Sequence, residues 1–275
     1  MQINTNLSSI ISANALQAAS TDISNSVQRI STGTKLSSDD PSSIGTAARL
    51  KSQIGSLSKA NDSITKGVGA LQMMDSSLSE ISSILLSMKD LAVASNNPTA
   101  TTTDLANNQL AYSQFLSALD TASSIPKLGT SALLNTASSI TFRVGATSAD
   151  TMSVSTFNVS SVAAGLALTG TDLSSTAAAL GASATEGKLD TAINTVAGYQ
   201  AQVGGAMKVM QSIGNVNDSV ITGATSAYSS LTSTDLAKET ASLAAAQIRQ
   251  NAAAAMFAQS NTMSREVVGY LLKGV

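Results

Sequence analysis

The chain has 275 residues, a formal net charge of -2, 43% hydrophobic and only 12% charged residues, 3% aromatics, and neither Cys nor His. This composition excludes thiolate, disulfide and iron–sulfur chemistry, removes the commonest general base and transition-metal ligand, and offers no basic surplus for nucleic acid. With few rings available, Ala, Leu, Ile, Val and Met must do the packing, which suits closely packed helices.

The opening Met1-Gln-Ile-Asn-Thr-Asn6 has no basic cluster leading into an apolar run, so no secretory signal is read there. No stretch reaches the continuous apolar length of a membrane span. A first helix is predicted over residues 4–31, where Leu16, Ile23 and Ile30 fall seven apart with Val27 between them. Gly33 and the polar run to Asp40 interrupt it. Asp40 before Pro41 has the form of an N-cap with proline at the first helical position.

The strongest signal follows. Leu50, Leu57, Ile64, Leu71, Leu78 and Leu85 stand at seven-residue intervals, and Met74, Ile81 and Met88 occupy a second seam. A heptad repeat sustained this long predicts a helix over 42–95, packed along its length against partner helices. Asn96-Asn97-Pro98 ends it. A third helix is predicted over 103–124, with Leu105, Leu110, Phe115, Leu116 and Leu119 as its apolar face. Ser139–Gly145 and Asp150–Val154 alternate apolar and polar around a turn-rich link, which predicts a β-hairpin. The Gly-, Ser-, Thr- and Ala-rich residues after it read as an irregular surface region.

Helical spacing then returns. Leu189, Val196, Val203 and Met210 recur at seven-residue steps, with Tyr199, Ala206, Ile213, Val220 and Ala227 in a second seam. The last segment, 234–272, carries Leu243, Ile248, Ala252, Met256, Met263, Val267 and Leu271 on one broad face, and such a helix needs cover on more than one side. The pattern at the start is thus mirrored at the end. The fold class read from it is mainly α: a long antiparallel coiled-coil bundle with paired N- and C-terminal helices and a small β-hairpin in the middle.

The block Gln28-Arg-Ile-Ser-Thr-Gly-Thr-Lys-Leu36 with Asp39-Asp40 resembles the N-terminal signature of bacterial flagellins. Lys59-Ala-Asn-Asp62, Leu78-Ser-Glu-Ile81 and Met88-Lys-Asp-Leu-Ala-Val93 resemble successive helical blocks. Phe142-Arg-Val-Gly-Ala146 resembles the family's hairpin, and Asp235-Leu-Ala-Lys-Glu239, Ala246-Gln-Ile248 and Ala258-Gln-Ser-Asn261 resemble its C-terminal helix.

The resemblance implies residues 1–40 and 233–275 as the two parts of an inner-tube helical domain. It implies 41–126 and 187–232 as the long helices of a rod domain, and 127–186 as a hairpin with a short variable region. It further implies a structural subunit of the extracellular flagellar filament, the propeller for swimming. Export would run through the flagellar type III route without a cleaved signal peptide.

The implied partners are sister copies, the flagellar cap, hook-junction proteins and an export chaperone. No cofactor, nucleic acid or membrane is expected. Leu16, Ile23, Val27, Ile30, Ile248, Met256, Val267 and Leu271 are expected to make inner-tube contacts between copies. Leu50, Leu57, Ile64, Leu71, Leu78, Leu85, Leu189, Val196, Val203 and Met210 are expected to form the rod core. The ends of a free subunit should be loose, because ordering them costs roughly 1–2 kcal/mol per residue for backbone alone. Leu91 matches the Leu of the family's innate-receptor epitope, while Ser87 and Ala111 stand where its Arg and Glu would be, so receptor binding is expected to be weak.

An apolar stripe ordinarily marks an intramolecular core, and that reading is kept for the two long seams. Met73, Met74, Met207 and Met210 read as packing residues. Asp39-Asp40 reads as a cap or solvated turn, and Gly67-Val-Gly69 lacks the strand–turn–helix setting of a phosphate loop. A hook–filament junction protein of the same family is one alternative. A peripheral membrane protein is another, weakened by the scarcity of Lys and Arg flanking the stripes.

Overall fold

The computed structural model describes residues 7–161, 165–168, 170–171, 173 and 182–273. Helices α1 (Leu7–Thr32), α2 (Pro41–Ser95) and α3 (Thr102–Ser124) come first. Strands β1 (Lys127–Leu128), β2 (Ser131–Ala132), β3 (Asn135–Arg143) and β4 (Thr151–Asn158) follow, then helices α4 (Ala182–Thr232) and α5 (Leu236–Lys273). The chain forms two compact units: a terminal unit, Met1–Ser52 with Gly223–Val275, and a central unit, Gln53–Thr222.

In the central unit the heptad positions are buried, and their burial explains the length of α2. Leu57, Ile64, Leu71, Leu78 and Leu85 line one seam, and Ala60, Met74, Ile81 and Met88 the next. Facing them on α4 are Leu189, Val196, Val203 and Met210. The two helices run antiparallel, since Asn61 Nδ2 donates to Asp218 at 2.7 Å while Lys89 pairs with Asp190 at 2.5 Å. Gly67 sits where a Cβ would lie 2.7 Å from the Met210 side chain, so the glycine admits that methionine.

Helix α3 starts with a capping box. The Thr101 hydroxyl accepts from Asp104 N and the Asp104 carboxylate accepts from Thr101 N, which satisfies two otherwise orphaned donors. Asn108 reaches back to the buried Ser95 hydroxyl at 3.0 Å, tying α3 to the end of α2.

The β3–β4 hairpin is longer than its alternating residues predict. It is antiparallel, with Ile140 opposite Val154 and an irregularity between Asn135 and Ser138. The Thr156 hydroxyl fills that irregularity by donating to Thr136 O and accepting from Ser138 N. Gly145 is required in the turn, because a Cβ there would meet the Asp150 side chain at 2.5 Å.

Several expectations are corrected. The segment after the hairpin is not surface: Val159, Leu166, Leu168 and Leu173 are buried in the same core as α2 and α4. Asp120 anchors it by accepting from Ser161 N and Oγ, and Gln109 accepts from Leu173 N. Leu110 is exposed and Tyr112 takes the buried position on α3. Leu50 is only half-buried and belongs to the terminal unit, and Met73, Val220 and Ala227 are exposed.

Candidate assembly site

The terminal unit gathers the residues expected to hold copies together. Helices α1 and α5 lie antiparallel. Ser9 donates to Asn261 at 3.1 Å, Arg249 pairs with Asp22 at 3.3 Å, and Arg29 pairs with Glu239 at 3.0 Å, so ascending positions on one helix meet descending positions on the other.

The seam between them is made of small residues. Ser12, Ala19 and Ser26 are buried on α1, seven apart. Glu239, Ala246 and Ala253 are buried on α5 at the same spacing. Apart from Glu239, the seam positions carry Ser or Ala, and most large apolar residues lie beside or away from the seam. Leu16, Ile23 and Ile30 are half-buried at the flanks of the seam. Val27 is 50% exposed, Ile248 69% and Met256 64%. Leu7, Ile10, Ile11, Leu236 and Met263 are also exposed. The side chains of Val267 and Leu271 lie outside the described residues.

Sequence reasoning found the large apolar stripe and missed the seam. The signal for it was present as a second heptad phase, written in Ser and Ala rather than Leu. It was passed over because small residues carry little hydrophobic weight.

A charged cluster closes one end of the pair. Arg29 makes a forked contact with Asp39, Nε to Oδ2 at 2.8 Å and Nη2 to Oδ1 at 2.7 Å, while its Nη1 reaches Glu239. Asp39 Oδ2 also accepts from Leu36 N at 2.8 Å. The Arg29 hydrogen bond is the main cause holding the Asp39 carboxyl below its usual value. The Glu239 carboxyl is held down chiefly by the Ser26 hydroxyl and then by Arg29. Both carboxylates in turn raise the guanidinium.

The backbone around the cluster is paired. Gly33, at φ +67°, takes the left-handed conformation that ends α1, and its N–H donates to Arg29 O at 2.8 Å. Lys35 N donates to Thr232 O and Thr234 N to Gly33 O, so the α1–α2 turn and the α4–α5 turn bond each other like two short strands. Asp40 caps α2 as predicted, accepting from Ser43 N at 3.2 Å. A groove of about 280 Å³ lies beside these turns, with Lys35, Ile44, Ala47, Lys51 and Leu231 among its lining residues.

Among the described residues, no group of three or more His, Cys, Asp or Glu gathers to hold a metal, and no helix is long and apolar enough to cross a membrane. The features that stand out are therefore two helices with small residues between them and large apolar residues on their outer faces.

Residues 3–138 match the bacterial flagellin N-terminal helical region and residues 187–271 the bacterial flagellin C-terminal helical region. A flagellin of Listeria innocua is 26% identical over 277 residues, covering 95% of this chain and 96% of the relative. The B-type flagellin of Pseudomonas aeruginosa is 30% identical over 168 residues, covering 60% of this chain and 34% of the relative, so the chain spans about a third of that protein. The crystal structure of Bacillus cereus flagellin is similar at 27% identity with a TM-score of 0.49, covering 55% of this chain and 86% of that one. From these matches to both helical regions, the chain belongs to the bacterial flagellin family, whose members are structural subunits of the flagellar filament.

Proposed function

We propose that this chain polymerises by burying the outer faces of α1 and α5 against sister copies, and that Val27, Ile248 and Met256 are central to those contacts. The single observation that carries the reading is the inversion of the usual order in the terminal unit, with alanine and serine buried between the helices while Val27, Ile248 and Met256 lie outside. Covering a Leu, Ile or Met side chain is worth about 1.5–3 kcal/mol, and for the exposed Val27, Ile248 and Met256 a sister copy would supply that cover. The seam methyls contribute roughly 0.8 kcal/mol each, against about 1–2 kcal/mol per residue for ordering backbone. The pair is therefore loose in a free subunit and orders on assembly. A contact between different patches of two copies, when its rotation does not close, gives an open helical polymer.

The family supplies the rest of the reading: an extracellular filament, type III export, and the cap, hook-junction proteins and an export chaperone as further partners. No enzymatic activity is proposed. Receptor binding is expected to be weak, because Leu91 is half-buried against the core and Ser87 and Ala111 stand in place of charged residues. The junction-protein alternative is not favoured, since a flagellin matches along almost the whole chain.

The test is seeded growth with Ile248→Asp/Met256→Asp. The double variant should keep the circular dichroism of the free chain and fail to extend filament fragments. Extension at the parent rate would remove the proposed face.

A further inference from the structure

Three blocks of sequence far apart in the chain end on one side chain. Arg29 lies at the end of α1, Asp39 in the turn before α2, and Glu239 in the first turn of α5. The guanidinium spends its Nε and Nη2 on Asp39 and its Nη1 on Glu239. Those contacts lie between 2.7 and 3.0 Å. Glu239 is buried, and Arg29 and Asp39 are about three-quarters covered. The same Asp39 carboxylate caps Leu36 N, so the guanidinium is fixed to the turn itself and not only to a neighbouring side chain. The turn is bonded through Lys35 to Thr232, the last residue of α4. One cation thus connects α1, α5, the start of α2 and the end of α4 within the terminal unit.

The seam between α1 and α5 cannot set that arrangement unaided. Ser and Ala repeated at seven-residue steps fit their neighbours almost equally well after a slip, because they offer no large knob for a matching hole. The other cross-pair ion contact, Arg249 with Asp22, is solvent-exposed on both sides and joins only the two helices. A forked guanidinium is directional in a way a seam of methyls is not.

We infer that Arg29 is the positioning residue for assembly: it locks the register of α1 on α5 and the seating of both on the connecting turns, so that the outer apolar faces meet a sister copy in one geometry. The inference rests on the filament reading above. Lysine cannot replace it, since an ammonium on a flexible stem is a point charge and cannot hold Asp39 in a fork while reaching Glu239.

The experiment measures the critical concentration for extending sheared filament fragments with parent, Arg29→Lys and Arg29→Ala chains. A second pair adds the cross-link Asp22→Cys/Arg249→Cys, which is clean because the chain has no cysteine. Both single variants should raise the critical concentration at least tenfold while the thermal transition of the central unit stays in place. The cross-linked Arg29→Ala chain should remain deficient relative to the cross-linked parent. If Arg29→Lys extends filaments within twofold of the parent, the forked geometry is not needed and the inference falls. If the cross-link restores Arg29→Ala, the residue merely holds two helices together and the inference also falls. Failure of the unaltered chain to extend fragments would overturn the filament reading itself, and this inference with it.

Discussion

The terminal and central units use the same seven-residue spacing to opposite ends. In the central unit the seam is Leu, Ile, Val and Met, and Leu78, Ile81, Leu85 and Met88 have no exposed surface at all. In the terminal unit the seam is Ser and Ala with Glu239 at one end, and Val27, Ile248 and Met256 face out. The first arrangement completes a core within one molecule. The second leaves Val27, Ile248 and Met256 uncovered by the described chain. A heptad therefore says that a helix will pack, whereas the size of the residues in each phase says which side chains the chain buries itself; on the proposed reading, another copy covers those it leaves out.

The largest effect that would sharpen this contrast is removal of a terminal helix. A chain lacking Leu7–Thr32 or Leu236–Lys273 should form no polymer and keep the cooperative melting of its central helices. Loss of that melting would tie the two units into one folding unit and break the contrast.

Next in size is a matched pair of truncations. Leu78→Ala should destabilise the central unit by about 2–5 kcal/mol, through lost transfer energy and the cavity left behind. Ile248→Ala should change the free chain's stability by no more than about 0.5 kcal/mol. Urea unfolding of both variants decides it, and equal losses would mean that Ile248 is covered within its own molecule.

A smaller effect is expected at glycine. Gly67→Ala should cost about 1–3 kcal/mol by overpacking against the buried Met210 side chain, less the roughly 1 kcal/mol gained from helix propensity, so the net change is a loss. Gly69→Ala, with nothing near its Cβ, should gain up to about 1 kcal/mol from helix propensity. The two melting curves should shift in opposite directions.

Smallest is the response to acid. Asp39 and Glu239 carry lowered carboxyl values when folded, Asp39 through Arg29, with Lys35 also near it, and Glu239 through Ser26 and then Arg29. Groups depressed in the folded state add stability that is in place at neutral pH and is lost as pH falls through their lowered values. In the assembled filament, where the pair is ordered, protease sensitivity of the connecting turns should thus rise on acidification, and Glu239→Gln should blunt that rise.

Much of the fold was legible. Leu57 to Leu85 and Leu189 to Met210 announced the long helices because large residues in strict phase leave few other readings. Asp40-Pro41 marked the start of α2, and the alternation around Phe142 and Val154 marked the hairpin. The buried strap after the hairpin was not legible. Val159, Leu166, Leu168 and Leu173 have no shared period and sit among Gly, Ser and Thr, so their burial depends on Asp120 and Gln109, far away in sequence. At the assembly site, the exposed Val27, Ile248 and Met256 were visible as a stripe. The Arg29 cluster was not, since its three members are separated by turns and a whole domain. Motif resemblance picked out the three blocks without giving the reason they meet.

The most direct measurement is amide hydrogen exchange on the free chain and on its filament. The amides of α1 and α5 should exchange freely in solution and become strongly protected in the polymer, while those around Leu71 to Leu85 are protected equally in both. Full protection of α1 and α5 in the free chain, unchanged by polymerisation, would contradict the claim that sister copies complete the terminal unit.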